Sequence, residues 1–166
     1  MDVDRRANRP DPERFAPGGA AGPVVAPIAS AADLALVLVG CSEAERRGAA
    51  VELLHVVPPR WSPIITGRAG LPPPRPAPGH GEREIEELRA RALTLARLCE
   101  VRVQWTTVVG RPADVIERFC RDHHAALLVI GADRRQLSTH RLRPTLASVQ
   151  RLSRRAGTPV HLVCRE

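Results

Sequence analysis

The sequence contains no lysine and no tyrosine, and its 166 residues include only two Trp and two Phe. That scarcity bears on partners: RNA and single-strand binders line basic grooves with exposed stacking aromatics, so nucleic acid is not expected despite a formal net charge of +7. Long apolar runs are missing too. The longest unbroken one, Leu34 to Cys41, is far shorter than a bilayer span requires, and no membrane association is expected. The first fifteen residues mix both signs of charge without an apolar stretch, which fits neither a secretory signal nor a transit peptide; a cytoplasmic location is expected. Cys41, Cys99, Cys120 and Cys164 show no C-x-x-C spacing and lie in apolar periodic segments. They read as small buried hydrophobes, not as zinc ligands or a disulfide framework.

The basic residues that are present are all arginine, a bias that points more to codon composition than to selection for guanidinium chemistry. Their placement is more informative. Residues 131–166 carry eight Arg against two acids, whereas residues 1–130 carry 17 Arg against 16 acids. The excess charge belongs to the C-terminal segment.

Residues 1–22, rich in Pro, Gly, Arg and Asp, predict a flexible arm, because they offer too little apolar surface to offset ordering entropy. A single domain is expected over residues 23–166. Val24 to Ile28 is a β-branched run that predicts a first strand, followed by Ser30 as N-cap and an apolar helix through Cys41 that stops at Gly48. Ala50 to Val57 predicts a second strand. Between Pro58 and Gly81, counting both ends, stand eight prolines and four glycines, the composition of a mobile insertion at 58–81. A second helix is expected over Glu82 to Cys99, with Glu84, Glu86 and Glu87 at its positive end as a solvated start. Val101 to Val109 alternates as an edge strand does. Gly110-Arg111-Pro112 opens a third helix ending near His123-His124, and the doubly apolar Ala125 to Ile130 reads as a central parallel strand that stops at Gly131. A fourth helix over Thr145 to Arg155 and a fifth strand over Val160 to Cys164 complete the pattern. Strand and helix alternate, which predicts an open three-layered α/β sheet with right-handed crossovers.

Four stretches, VVAPIAS, VELLHVV, VVGRPADVIERFCRDHHAALLVIGA and RRAGTPVHLV, together resemble the universal stress protein family over residues 23–165. The resemblance implies an α/β, Rossmann-like fold, an open five-stranded parallel sheet in order 3-2-1-4-5 with helices on both faces. It also implies a homodimer through strand Val160 to Cys164, for which an unpaired edge supplies a physical motive. In such a sheet the ligand crevice lies beyond strands one and four, where strand order reverses.

ATP-binding members of that family carry an Asp after strand one and a G-x2-G-x9-G-[ST] loop after strand four, since glycines let backbone amides approach phosphates. Here the Asp position is Ala29, Gly131 keeps the first glycine, Arg134 and Pro144 replace the other two, and Thr145 survives at the [ST] place. The glycine cradle is therefore expected to be degenerate. The same loop holds Arg135, His140, Arg141 and Arg143, and guanidinium groups can bind phosphate where amides do not. The candidate nucleotide or anion site is thus Gly131, Arg134, Arg135, Arg141, Arg143 and Thr145. The expectation is a non-enzymatic stress-response or regulatory domain with no cofactor and an unnamed protein partner. The alternative is a nucleotide-binding domain that holds ATP weakly through arginine side chains.

Other candidates have plainer readings. Adjacent His123 and His124 do not share a helix face and read as partners of the helix C-terminal dipole. His55 reads as a hydrogen-bonded core histidine. Ser30 lacks a G-x-S-x-G surround, and no nucleophile, base and orienting group are brought together by chain order.

Overall fold

The structure is a computed structural model that describes residues 22–58, 81–133 and 142–165. The expected arm at 1–22 lies outside the described residues except for Gly22, as does the expected insertion at 58–81 apart from Pro58 and Gly81. Among the described residues, strands β1 (Val24–Pro27), β2 (Val51–Val57), β3 (Val103–Val109), β4 (Leu127–Asp133) and β5 (Val160–Arg165) alternate with helices α1 (Ala35–Arg47), α2 (Glu82–Ala96), α3 (Pro112–Asp122) and α4 (Leu142–Ala156). All strand pairs are parallel. The sheet order is β3-β2-β1-β4-β5, as the resemblance implies.

Two faces of this sheet are covered by different helices, because successive strand side chains point to opposite sides. Val24, Ala26, Leu53 and Val129 pack against Val37 of α1 and Ala92 of α2. Val25, Leu54 and Leu128 pack against Val115 and Phe119 of α3 and Ala156 of α4. β1 is flanked by β2 and β4 and Val24, Val25 and Ala26 are fully buried, which is why its sequence is apolar on both faces. β3 lies at one edge, with every residue half-buried except the exposed Val109.

Local chemistry sets the element ends. Gly48 adopts φ +61° and its N–H bonds the carbonyls of Ala44 and Glu45, closing α1 with a left-handed cap that L side chains resist. Gly22 is required for a different reason: a Cβ there would lie 1.8 Å from the His124 carbonyl oxygen. That close approach accompanies a bond from Ala126 N–H to the Pro23 carbonyl (3.0 Å), by which the start of β1 is brought beside the segment leading into β4.

Several expectations are corrected. β4 does not stop at Gly131 but continues through Asp133, and α4 starts at Leu142, three residues before Thr145. Pro144 is accommodated because the first helical turn needs no amide at that position. α2 ends at Ala96, leaving Cys99 in the irregular segment that follows. Of the cysteines, Cys41 and Cys120 are buried, Cys99 is intermediate and Cys164 is exposed, because the edge strand carrying Cys164 has no further strand beside it.

Candidate functional site

Strand order reverses between β1 and β4, so the crevice expected in such sheets opens beyond the ends of these two strands. Its β1 side is tightly bound. Ile28 is fully buried, and its N–H donates to the Leu54 carbonyl at 2.9 Å. Its carbonyl lies 2.7 Å from His55 Nδ1. A carbonyl can only accept, so Nδ1 carries the proton in this contact. His55 is fully buried and its ring stacks on Trp105 of β3, with centroids 5.7 Å apart. The expected core histidine is confirmed, and it braces the end of β1 against β2.

The next turn folds around Asp33. Its Oδ2 accepts the backbone N–H groups of Ala29 and Ser30, each at 3.0 Å, while Ser30 Oγ accepts the Ala32 N–H at 3.3 Å. This is a capping box on a short 3-10 turn, Ala31–Asp33, that leads into α1. Ser30 therefore caps as its position predicts. Asp33 is the residue the family motif did not single out, although the Ser-x-x-Asp spacing was present to signal it. Ala29 has no carboxylate to offer a ligand, and the buried carboxylate four residues later is committed to the turn's own amides.

On the β4 side, Gly131 is a ladder residue, in register with Val163 of β5, and Asp133 is in register with Arg165. Gly131 thus lies inside the strand and not in a loop. Arg134, Arg135, His140 and Arg141 lie outside the described residues. Arg143, Pro144 and Thr145 form part of the first turn of α4. Gly131 is half-buried in β4, and α4 begins at Leu142.

Groups with displaced titration lie elsewhere. Burial pushes the Glu52 carboxyl of β2 up, against the opposing influence of the Thr106 hydroxyl and the Arg102 charge. Burial also pushes Cys120 up to about 12. At Glu43 of α1, burial acts upward but Arg47 and Arg46 outweigh it and hold the carboxyl below its ordinary range; His161 Nδ1 of β5 approaches the same carboxylate at 3.1 Å. His123 is half-buried against the Phe119 ring, 4.2 Å between centroids. Burial depresses its pKa, with His124 adding and Asp122 opposing. The expected charged partner of the helix end is thus a packed ring that favours neutrality, and exposed His124 instead closes the turn at φ +48°. Among the described residues no group of three or more His, Cys, Asp or Glu could hold a metal ion, and no helix is long and apolar enough to cross a membrane.

Comparison with known proteins gives a consistent picture of the architecture. The family model described as "Universal stress protein family" matches residues 21–163. No curated protein matches the sequence. Among solved structures, a universal stress protein in complex with cAMP is similar at 22% identity and TM-score 0.65, covering 89% of this chain and 100% of that one. The Archaeoglobus fulgidus universal stress protein in complex with dAMP is similar at 19% identity and TM-score 0.56, covering 87% of this chain and 98% of that one. Lactobacillus plantarum UspA is similar at 17% identity and TM-score 0.53, covering 87% and 99% of the two chains. At these identities the structural likeness speaks for the fold.

Proposed function

The chain belongs to the universal stress protein family, and from that premise we propose that it is a non-enzymatic regulatory domain of the stress response whose β1/β4 crevice holds ATP weakly or not at all. The observation that carries the reading is the Asp33 turn. A triphosphate site at a sheet's switch point uses backbone N–H groups and a nearby acceptor for the nucleoside end. Here the amides of Ala29 and Ser30 already donate to Asp33, and Pro144 in the first turn of α4 has no N–H to give. The domain then acts through contact with itself and with a protein partner, as a homodimer through β5. Mass spectrometry of small molecules released when the purified protein is denatured tests this directly: no ATP is expected, and ATP at near-equimolar yield overturns it.

A second reading is supported by the two similar proteins whose structures hold cAMP and dAMP. One phosphate demands fewer donors than three, and a guanidinium from Arg134, Arg135, Arg141 or Arg143 suffices to pair with it. In that case the released ligand is an adenine nucleoside monophosphate, and its affinity falls with added salt.

A further inference from the structure

The two edges of the sheet are not guarded alike. β5 carries His161 and Arg165, whereas β3 reads VQWTTVV, with no charge, no proline and no glycine. The register of β3 with β2 runs unbroken from Val103 to Val109, so no bulge twists this edge away. The Trp105 indole stacks on His55 of the neighbouring β2, and its Nε1–H donates to Thr107 Oγ1 at 2.9 Å, so the large side chain of the strand is drawn inward and not across the edge.

The ladder fixes which backbone groups face out. Val51 N–H donates to the Arg102 carbonyl at 2.8 Å and Gly110 N–H to the Val57 carbonyl at 2.9 Å, at the two ends of the β2–β3 register. Alternate residues of a parallel strand bond the same neighbour, so the even-numbered residues of β3 turn to β2. Val103, Trp105, Thr107 and Val109 direct their N–H and C=O groups outward, where no further strand lies among the described residues. Of Leu38, Leu98 and Val109, the exposed large hydrophobic side chains among the described residues, two flank this edge. Leu98 is 77% exposed in the turn that leads towards β3, and Val109 is 59% exposed at its exit.

We propose that β3 is a self-pairing edge, which docks antiparallel on β3 of a second copy of this chain across a twofold axis at Thr106 and joins two sheets into one.

A second copy fits because the edge is its own complement. With Thr106 on the axis, the outward residues meet as Val103 with Val109 and Trp105 with Thr107, each pair exchanging two N–H···O bonds. Thr106 meets its own copy at the close pair, a contact of the kind that favours strand pairing. Arg102 falls opposite the uncharged Gly110, so no like charges are set directly against each other. Val109 shares its side of the sheet with Val103 and Trp105, the side that α2 covers, and Leu98 follows α2. Pairing therefore brings Val109 of each copy to the end of the other at which Leu98 stands. A charged foreign segment finds no countercharge along VQWTTVV, which favours the strand's own copy as occupant. One strand pair buries less area than a stable interface needs, so this seam forms at high concentration. β3 and β5 are opposite edges, and the inference does not rest on pairing through β5; where both seams form, dimers join into tetramers and longer chains.

Sedimentation equilibrium of the full chain, from micromolar to about 0.5 millimolar, tests this on the parent and on Leu162→Pro, each with and without Val109→Lys or Leu98→Glu. The average mass of Leu162→Pro is expected to rise from monomer towards dimer over this range, and that of the parent from dimer towards tetramer. Val109→Lys abolishes the rise in both backgrounds with the circular dichroism spectrum unchanged, because it sets a charge on the edge. Mixing Val109→Lys with Leu98→Glu, both in the Leu162→Pro background, restores dimers, since the introduced lysine of one copy meets the introduced glutamate of the other; mixing does not relieve a folding defect. A parent dimer that Leu162→Pro leaves intact and Val109→Lys dissolves supports the β3 seam and counts against the β5 one. No rise in mass for the parent and Leu162→Pro, a rise that both charged variants leave unchanged, or a mixture that restores nothing overturns the proposal.

Discussion

Single buried carboxylates make this domain respond to pH in two opposed ways. Glu43 has its pKa held down by Arg47 and Arg46, so it contributes stability that is complete above its ordinary value of 4.5 and is lost as pH falls through the lower folded value. Glu52 has its pKa raised by burial, so its contribution is complete below 4.5 and is lost as pH rises through the folded value. The consequence is specific. Glu52→Gln removes the ionisable group while keeping its shape, and is expected to unfold at higher denaturant than the parent at pH 7, by a margin that shrinks towards pH 4. Urea titrations at both pH values check this; a variant less stable than the parent at pH 7 contradicts it. Gly22 gives a second expectation at this scale. A methyl group placed 1.8 Å from the His124 carbonyl oxygen forces backbone to move, so Gly22→Ala should cost about 1–3 kcal/mol in the same measurement.

At the level of elements, the turn between β1 and α1 is the feature on which the site depends. Asp33→Ala deletes the acceptor for the Ala29 and Ser30 amides and is expected to cost about 0.5–2 kcal/mol, as cap removal does. Circular dichroism melts of parent and variant measure it, and an unchanged melt would mean that the turn is held by other contacts. Much of this scale was legible in the sequence. The doubly apolar β4 run announced an interior strand, the alternation through Trp105 announced an edge, and Ser30 announced a cap, because each is a local pattern with a local cause. The extension of β4 past Gly131 was not legible: it depends on ladder partners in β5, such as Val163 beside Gly131, which strand composition does not reveal. Packing between distant residues was equally hidden. Glu43 meets His161 at 3.1 Å across 118 positions, a pairing that leaves no periodic trace. For the candidate site, the loss of the Asp at Ala29 and of two glycines was visible as letters, but the use of the neighbouring amides by Asp33 required the folded turn.

For the whole molecule, assembly and ligand binding follow from what the sheet leaves open. Leu128 N–H bonds the Pro159 carbonyl and Leu128 is in register with Val160, so by parallel-ladder alternation His161 and Val163 face β4 while Val160, Leu162 and Cys164 direct their backbone groups outward. If β5 pairs with a second copy, Leu162→Pro removes an outward N–H without touching the β4 ladder. Sedimentation is expected to show a dimer for the parent and a monomer for this variant at micromolar concentration, and a dimer unchanged by the substitution contradicts pairing through β5. Each lost hydrogen bond to a charged group is worth about 1.5–3 kcal/mol, so two losses take a micromolar binder to about the millimolar range. Calorimetric titration with ATP at low and moderate salt, on the parent and on Arg134→Ala/Arg135→Ala, tests this most directly. No heat is expected, or binding near the millimolar range that salt and the double substitution both abolish; tight, adenine-selective binding that survives salt and the loss of both arginines would mean that the crevice holds ATP without them.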